Sequence, residues 1–337
     1  MQKLNPNRPL SLNKVAIFYS DQFLLHDTGV NHPERPERLH AVIAQLKQNK
    51  SLVWPAFKPA SQVNLALVHT AGYLKLVDDE IKALGKNGLA NLSTGDTVIS
   101  PATQAVAKLA VGAGIAASDL VMAGGASSAF ALVRPPGHHA TQSRGMGFCI
   151  YNNIAIVARH LQKQHDIKRI LIVDFDVHHG NGTQDIFYDD PSVFYFSIHQ
   201  HPLYPGTGSP SETGTGNGKG YTLNVALAAG AGDAELLRAV NQQLKPAMDA
   251  FKPEFILISA GFDSHSNDPL GRFQYSDEGY AQVAKVLTNI ANHYAAGRMV
   301  YMLEGGYNPN NLANAVSKVI NVLTSSPAGH IDISRGP

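Results

Sequence analysis

Asp174, Asp176 and His178 stand two residues apart at the end of the aliphatic run Ile170-Leu171-Ile172-Val173, and His179-Gly180-Asn181-Gly182 follows them. Alternate side chains of an extended chain project from one face, so two carboxylates and an imidazole converge just beyond a buried strand. Carboxylates desolvated side by side cost several kcal/mol per ion unless a cation joins them. Asp263, in Ser259-Ala260-Gly261-Phe262-Asp263, closes another aliphatic run and completes an Asp/His/Asp set. Three ligands of O, N and O type with an open fourth position describe a catalytic zinc site, whereas a structural site would be closed and rich in cysteine. The oxygen-rich set also suits Fe²⁺ or Co²⁺. The alternative, solvated groups capping the next helix, fits poorly with charges that directly follow apolar strands.

Two further segments could do chemistry. In Arg134-Pro135-Pro136-Gly137-His138-His139 the prolines cannot continue a ladder and Gly137 permits close approach, so the chain stops and presents adjacent imidazoles. Such a pair alone is commonly a surface feature, but an exposed pair needs no rigid lead-in. In Glu304-Gly305-Gly306-Tyr307 the glycines let the Tyr307 phenol turn inward, where its O–H could donate to a developing oxyanion. Taken singly, a tyrosine after Gly-Gly is an ordinary turn residue.

Near-continuous apolar runs at Val15–Tyr19, Ala129–Val133, Ile170–Phe175, Val193–Ile198, Tyr221–Val225, Phe255–Ser259 and Met299–Leu303 indicate strands buried on both faces, as in a parallel sheet. Helical periodicity fills the intervals at Arg38–Gln48, Pro101–Ala117, Asn152–Gln164, Ala234–Ala250 and Asp277–Ala295. The pattern is βαβ, and nothing Pro- or Ser-rich divides it. We therefore expect one α/β domain over residues 1–337, with its core at about 14–325. Gly206–Gly220 has the composition of an active-site rim loop. Ligands of parallel α/β sheets sit beyond the carboxyl ends of the strands, where all the motifs above fall.

With 44% hydrophobic and 16% charged residues the chain has material for a large core. Its 27 basic and 26 acidic side chains give no field that would draw it onto nucleic acid or anionic lipid. The lone cysteine, Cys149, excludes an intramolecular disulfide and fits a reducing cytoplasm. Met1–Tyr19 lacks the unbroken apolar stretch of a signal peptide, and Lys108 and Asp119 interrupt the Ala/Gly-rich stretch Pro101–Gly125. A cytoplasmic protein without membrane or nucleic-acid contact is expected, with a homo-oligomer left open.

Taken in chain order, Arg134–His139, Gly147-Phe148-Cys149 with Asn152, Asp174–Gly182, Ser259–Asp263 and Glu304–Tyr307 resemble the signature segments of the histone deacetylase and acetylpolyamine amidohydrolase family, and the likeness runs from about Tyr19 to Asn308. The resemblance implies the arginase/deacetylase fold, a single α/β domain around a largely parallel eight-stranded sheet flanked by helices. It implies zinc on Asp176, His178 and Asp263, catalysis by His138, His139 and Tyr307, and Asp174 behind His138. A structural K⁺ would be held by Asp174, Ser197 and the carbonyls of Asp176, His178 and Ile198. A second would use carbonyls near Phe187, Asp190, Val193 and Tyr221. Asn181 stands behind His139 where one branch has aspartate, which resembles the bacterial, class II-like branch and should leave His139 less basic.

Phe148, beside Gly147, and Tyr204 resemble the aromatic pair of the family's narrow acyl channel, and His32–Pro36 its entrance loop. Asp96 reads equally as a rim acceptor for substrate N–H groups or as a turn carboxylate. Leu270 replaces the glutamate gatekeeper of eukaryotic polyamine specialists. The implied reaction is amide hydrolysis, most simply of acetyl-lysine in proteins or peptides, with acetylpolyamines or other small acylated amines as the alternative. A non-catalytic acyl-lysine reader is a rival of another class, against which stands a full catalytic set. Arginase-like ureohydrolysis would need a two-metal carboxylate cluster where tandem histidines occur. His26, His69, His199 and His201 are assigned no catalysis.

Overall fold

The computed structural model describes residues 14–325. The expected ends of the domain, residues 1–13 and 326–337, lie outside the described residues, as does most of the segment on which the leader expectation rests. In chain order the strands are β1 (Val15–Phe18), β2 (Ala90–Asn91), β3 (Val98–Ile99), β4 (Ser128–Ala131), β5 (Ile170–Asp174), β6 (Val193–Gln200), β7 (Thr222–Leu227), β8 (Phe255–Ala260) and β9 (Met299–Leu303). β2 and β3 form a small antiparallel pair, and the other strands make one seven-stranded sheet in the order β1-β4-β9-β8-β5-β6-β7. Every neighbour in that sheet is parallel. Its middle strands β5, β8 and β9 are buried along their whole length, as continuous apolar runs require.

Among the described residues the sheet has seven strands, not the eight expected, and the reason lies at its edge. Val53 bridges Ala16 in parallel, donating to Val15 O at 3.1 Å and accepting from Ile17 N at 2.8 Å. The next donor in that ladder would be residue 55. It is Pro55, which has no N–H, so the eighth strand stops at a single bridge.

The helices are α1 (Glu37–Leu46), α2 (Gln62–Leu65), α3 (Ala71–Ala83), α4 (Thr103–Met122), α5 (Asn153–His165), α6 (Asn181–Phe187), α7 (Asp233–Ala239), α8 (Lys245–Phe251), α9 (Asp277–Tyr294) and α10 (Pro309–Ser325). α7 and α8 together span the one expected helix Ala234–Ala250 and are joined through a π turn, Val240–Leu244. α2, α3, α6 and α10 were not expected. α4 is long and apolar enough to cross a bilayer, yet it packs on α5, β4 and β9, and 61% of its most apolar window is buried inside the domain. α5 starts directly behind the His138–His139 segment: Asn152 Nδ2 donates to Ala140 O at 3.0 Å and Asn153 Nδ2 to Pro135 O at 3.1 Å.

Candidate active site

The turns that follow β5 and β8 bring Asp176, His178 and Asp263 together. His178 Nδ1 lies 3.0 Å from Asp176 Oδ1 and 3.1 Å from Asp263 Oδ2. One ligand atom from each residue falls within 4.8 Å of the others. The outer carboxylate oxygens are occupied: Gly305 N donates to Asp176 Oδ2 at 2.8 Å and Val177 N to Asp263 Oδ1 at 2.8 Å. Gly305 is required here, because a Cβ would come within 2.1 Å of Asp263 Oδ2.

The inner lone pairs therefore face one another, and one imidazole N–H cannot satisfy two carboxylates. Ligand atoms placed about 2.0–2.1 Å from a tetrahedral ion are about 3.3 Å apart, so the donor set fits a divalent metal. The charges agree. Burial, reinforced by the charge of Asp176, raises Asp263 to about 7 despite His178. Burial would lower His178, but its hydrogen bonds to Asp176 and Asp263 and their charges outweigh it and push it up to about 10. A bound cation would take the place of the His178 proton between the carboxylates and relieve the repulsion between Asp176 and Asp263.

His138 and His139 pack beside this set with ring centres 4.0 Å apart. His138 Nδ1 meets Asp174 Oδ2 at 3.0 Å, and Tyr195 OH reaches the same oxygen at 3.1 Å. Burial opposes charge on His138, yet Asp174 and Asp176 overcome it and push the ring up to about 10. His139 Nδ1 donates to Asn181 Oδ1 at 2.8 Å, which leaves Nε2 as its unprotonated nitrogen. Burial, then the charges of His138 and His178, hold His139 well below the usual imidazole range. The pair thus combines one charged and one neutral ring.

Glu304 holds the pair's backbone. Its Oε2 accepts from Gly137 N at 2.6 Å and His138 N at 3.2 Å, while Ser259 Oγ donates to Oε1 at 2.9 Å. Burial raises Glu304 to about 7, with the charge of His138 opposing it. Tyr307, only 7% exposed, is anchored by its own N–H to Asp268 Oδ2 at 2.6 Å. Arg38 lies over its ring, 4.9 Å from the centre, and donates to Gly306 O at 2.6 Å and Glu304 O at 2.5 Å. Burial, followed by the charge of Asp263, keeps the Tyr307 phenol far above its ordinary range, so it stays protonated.

The fully buried Glu34 joins Arg38 at 3.0 Å and also pairs with Arg134. Burial would raise Glu34, but Arg134 and Arg38 hold it at about 2. Glu304, Asp268 and this Arg–Glu–Arg cluster are supports that sequence reasoning missed. The available signal was that Glu34 and Arg134 sit inside motifs already singled out.

At the rim, Asp96 Oδ1 accepts from Gly147 N at 2.7 Å and lies 3.5 Å from Tyr204 OH. Asp96 thus braces a loop, and its exposure leaves it open to solvent. Gly147 has φ +56° and no room for a Cβ, which would meet His139 Cδ2 at 2.3 Å. Phe148 faces Tyr307 with ring centres 6.0 Å apart, and Tyr204 faces His139 at 5.2 Å. Half-buried Leu270 follows Asp268, to whose Oδ1 its N–H donates at 3.0 Å.

Ser197 is the register partner of Asp174, and its Oγ meets His199 Nδ1 at 2.9 Å. Ile198 follows, buried in β6. Phe187 O accepts from Asp190 N at 3.1 Å, Asp190 O from Val193 N at 3.5 Å and Tyr221 O from Tyr195 N at 2.9 Å, so these carbonyls gather around the start of β6.

Residues 32–323 match the model of the histone deacetylase domain. The chain belongs to the histone deacetylase family. It is 39% identical over 332 residues to histone deacetylase 10, chloroplastic, of Oryza sativa subsp. japonica, covering 94% of this chain and 75% of that protein. It is 40% identical over 316 residues to the Homo sapiens polyamine deacetylase HDAC10, covering 90% of this chain and 46% of that one. Among solved structures, the crystal structure of the HDA15 HD domain superposes with a TM-score of 0.87 at 36% identity, over 94% of this chain and 92% of that one. Members of the histone deacetylase family are metal-dependent hydrolases of amides, and this chain is an enzyme of that kind with a candidate metal-binding group at its centre.

Proposed function

We propose that the enzyme removes acetyl groups from the ε-amine of lysine in proteins or peptides, with zinc held by Asp176, His178 and Asp263. The observation that carries this reading is the placement of a neutral His139, a charged His138 and a protonated Tyr307 around three converging metal donors. Fe²⁺ or Co²⁺ would suit the same donors. When bound, the cation supplies a Lewis acid that polarises the amide carbonyl and acidifies water.

The chain's own residues supply the rest. His139 Nε2, free of a proton because Nδ1 donates to Asn181, accepts the proton of the attacking water. His138, kept positive by Asp174, adds charge stabilisation beside the forming oxyanion. Tyr307 O–H donates to that oxygen. The proton on His139 then passes to the departing nitrogen, so acetate and a free amine result. The Phe148 and Tyr204 rings suit an extended four-carbon stem ending in an amide.

The structural K⁺ would sit between Asp174, Ser197 and the carbonyls of Asp176, His178 and Ile198. A second would use the carbonyls of Phe187, Asp190, Val193 and Tyr221. The cytoplasm as compartment is supported by Cys149, a buried free thiol. Leu270 puts an apolar side chain and no anion at its own position, which favours acetyl-lysine. A polyamine substrate is a second reading, favoured by the 40% identity to a protein named as a polyamine deacetylase. Side-by-side hydrolysis of an acetyl-lysine peptide, acetylspermidine and longer acyl-lysines, with and without chelator, tests both. Faster turnover of acetylspermidine would reverse the substrate assignment, and rates indifferent to chelator would end the metal assignment.

A further inference from the structure

Asp119, His160 and His165 form another cluster, on the face where α4 and α5 pack together and among none of the active-site residues. Asp119 lies in the last turn of α4, and His165 is the final residue of α5. His160 Nε2 and His165 Nε2 each lie 2.7 Å from the same Asp119 oxygen, with ring centres 5.7 Å apart. Their ligand atoms fall within 4.8 Å of one another.

Two features point beyond a shared hydrogen bond. Asp119 places a negative charge where two helices end together, and both macrodipoles disfavour an anion and favour a cation there. The exposure is also graded. The His160 side chain is 9% exposed and fixed by packing, whereas His165 is 25% and Asp119 47% exposed. One ligand is thus held while two can adjust by the few tenths of an ångström an ion needs, and water can reach the open positions.

We propose that Asp119, His160 and His165 form a second metal site, for a divalent transition ion such as Zn²⁺, Ni²⁺ or Cu²⁺, with water completing its coordination. Two imidazoles and one carboxylate select such ions over Ca²⁺ or Mg²⁺, which prefer all-oxygen shells. Occupancy ties the end of α4 to the end of α5. The opposite end of α5 carries Asn152 and Asn153, which hold the backbone around the histidine pair, so the ion braces the helix on which that segment rests.

The test uses the zinc-loaded enzyme alongside Asp119→Asn and His165→Ala, both at partly exposed positions. Titration with Ni²⁺, followed by calorimetry and metal analysis, is expected to show one more equivalent in wild type than in either variant. Ni²⁺ should raise the melting temperature of wild type alone, with peptide deacetylation equal in all three. Cu²⁺ added to the zinc-loaded wild type should give an electron paramagnetic resonance signal coupled to two nitrogens, a readout that needs no variant. Equal uptake and equal thermal response in all three proteins, or a Cu²⁺ signal with oxygen ligands only, would overturn the site.

Discussion

At the scale of single residues, the active site is a problem of proton placement. Tyr307→Phe removes one donor to the oxyanion and should lower kcat by about 10²–10³-fold. Its affinity for an acetyl-lysine peptide should stay near wild type, as measured by calorimetry, and a full-speed variant would exclude the phenol from the reaction. Asn181→Asp gives His139 an anionic partner in place of an amide. Imidazolium then becomes easier to form, so the acid limb of the kcat/KM–pH profile should move to higher pH by about one unit. A limb that stays in place would remove His139 as the base. These residues were legible from sequence because a cation, a proton donor and a proton acceptor each require particular side chains at fixed spacings beyond a strand. Glu304, Asp268 and Arg38 were not legible in these roles. A carboxylate buried to hold backbone N–H groups leaves no local pattern, and its partners are distant in sequence.

At the scale of elements, the runs that became strands were visible because burial on both faces demands unbroken apolar sequence. Several helices were hidden. α6 has only seven residues and begins inside the motif that bears Asp174, Asp176 and His178, and Asn308-Pro309-Asn310-Asn311 reads as a turn although Leu312, Val316, Val319, Ile320 and Leu323 trace the buried stripe of α10. The loop bearing Gly147 carries its own prediction. Gly147→Ala puts a methyl group against the His139 ring at a positive φ. It should cut kcat/KM by at least tenfold while the far-ultraviolet dichroism stays native; retained activity would show that the ring has room to shift.

At the scale of the whole molecule, Glu34 couples the entrance segment to β4 and to the Tyr307 loop through Arg134 and Arg38. Glu34→Gln leaves two guanidinium groups without their buried anion and should destabilise the fold by about 3–5 kcal/mol in urea unfolding. The pH dependence follows from the same charge. Glu34 is depressed from an ordinary 4.5 to about 2, so its contribution is complete above pH 4.5 and is lost as pH falls from there towards 2. Wild type should lose stability across that window more steeply than Glu34→Gln, and parallel curves would contradict the assignment. Removing the central metal acts in the same direction. With free ion at 100 times its dissociation constant, chelation should cost about 2.7 kcal/mol and lower the melting temperature.

Pro55 has a consequence for how copies of this enzyme can meet. The N–H that Pro55 lacks would have pointed at β1, so the outermost segment cannot lengthen its pairing beyond the bridge at Val53. Among the described residues that flank therefore carries one bridge instead of a full strand, a short edge for another molecule to pair with. Exchanging Pro55 for valine would restore the donor towards β1 and should lengthen the flank into the longer, flatter edge that invites fibrous stacking.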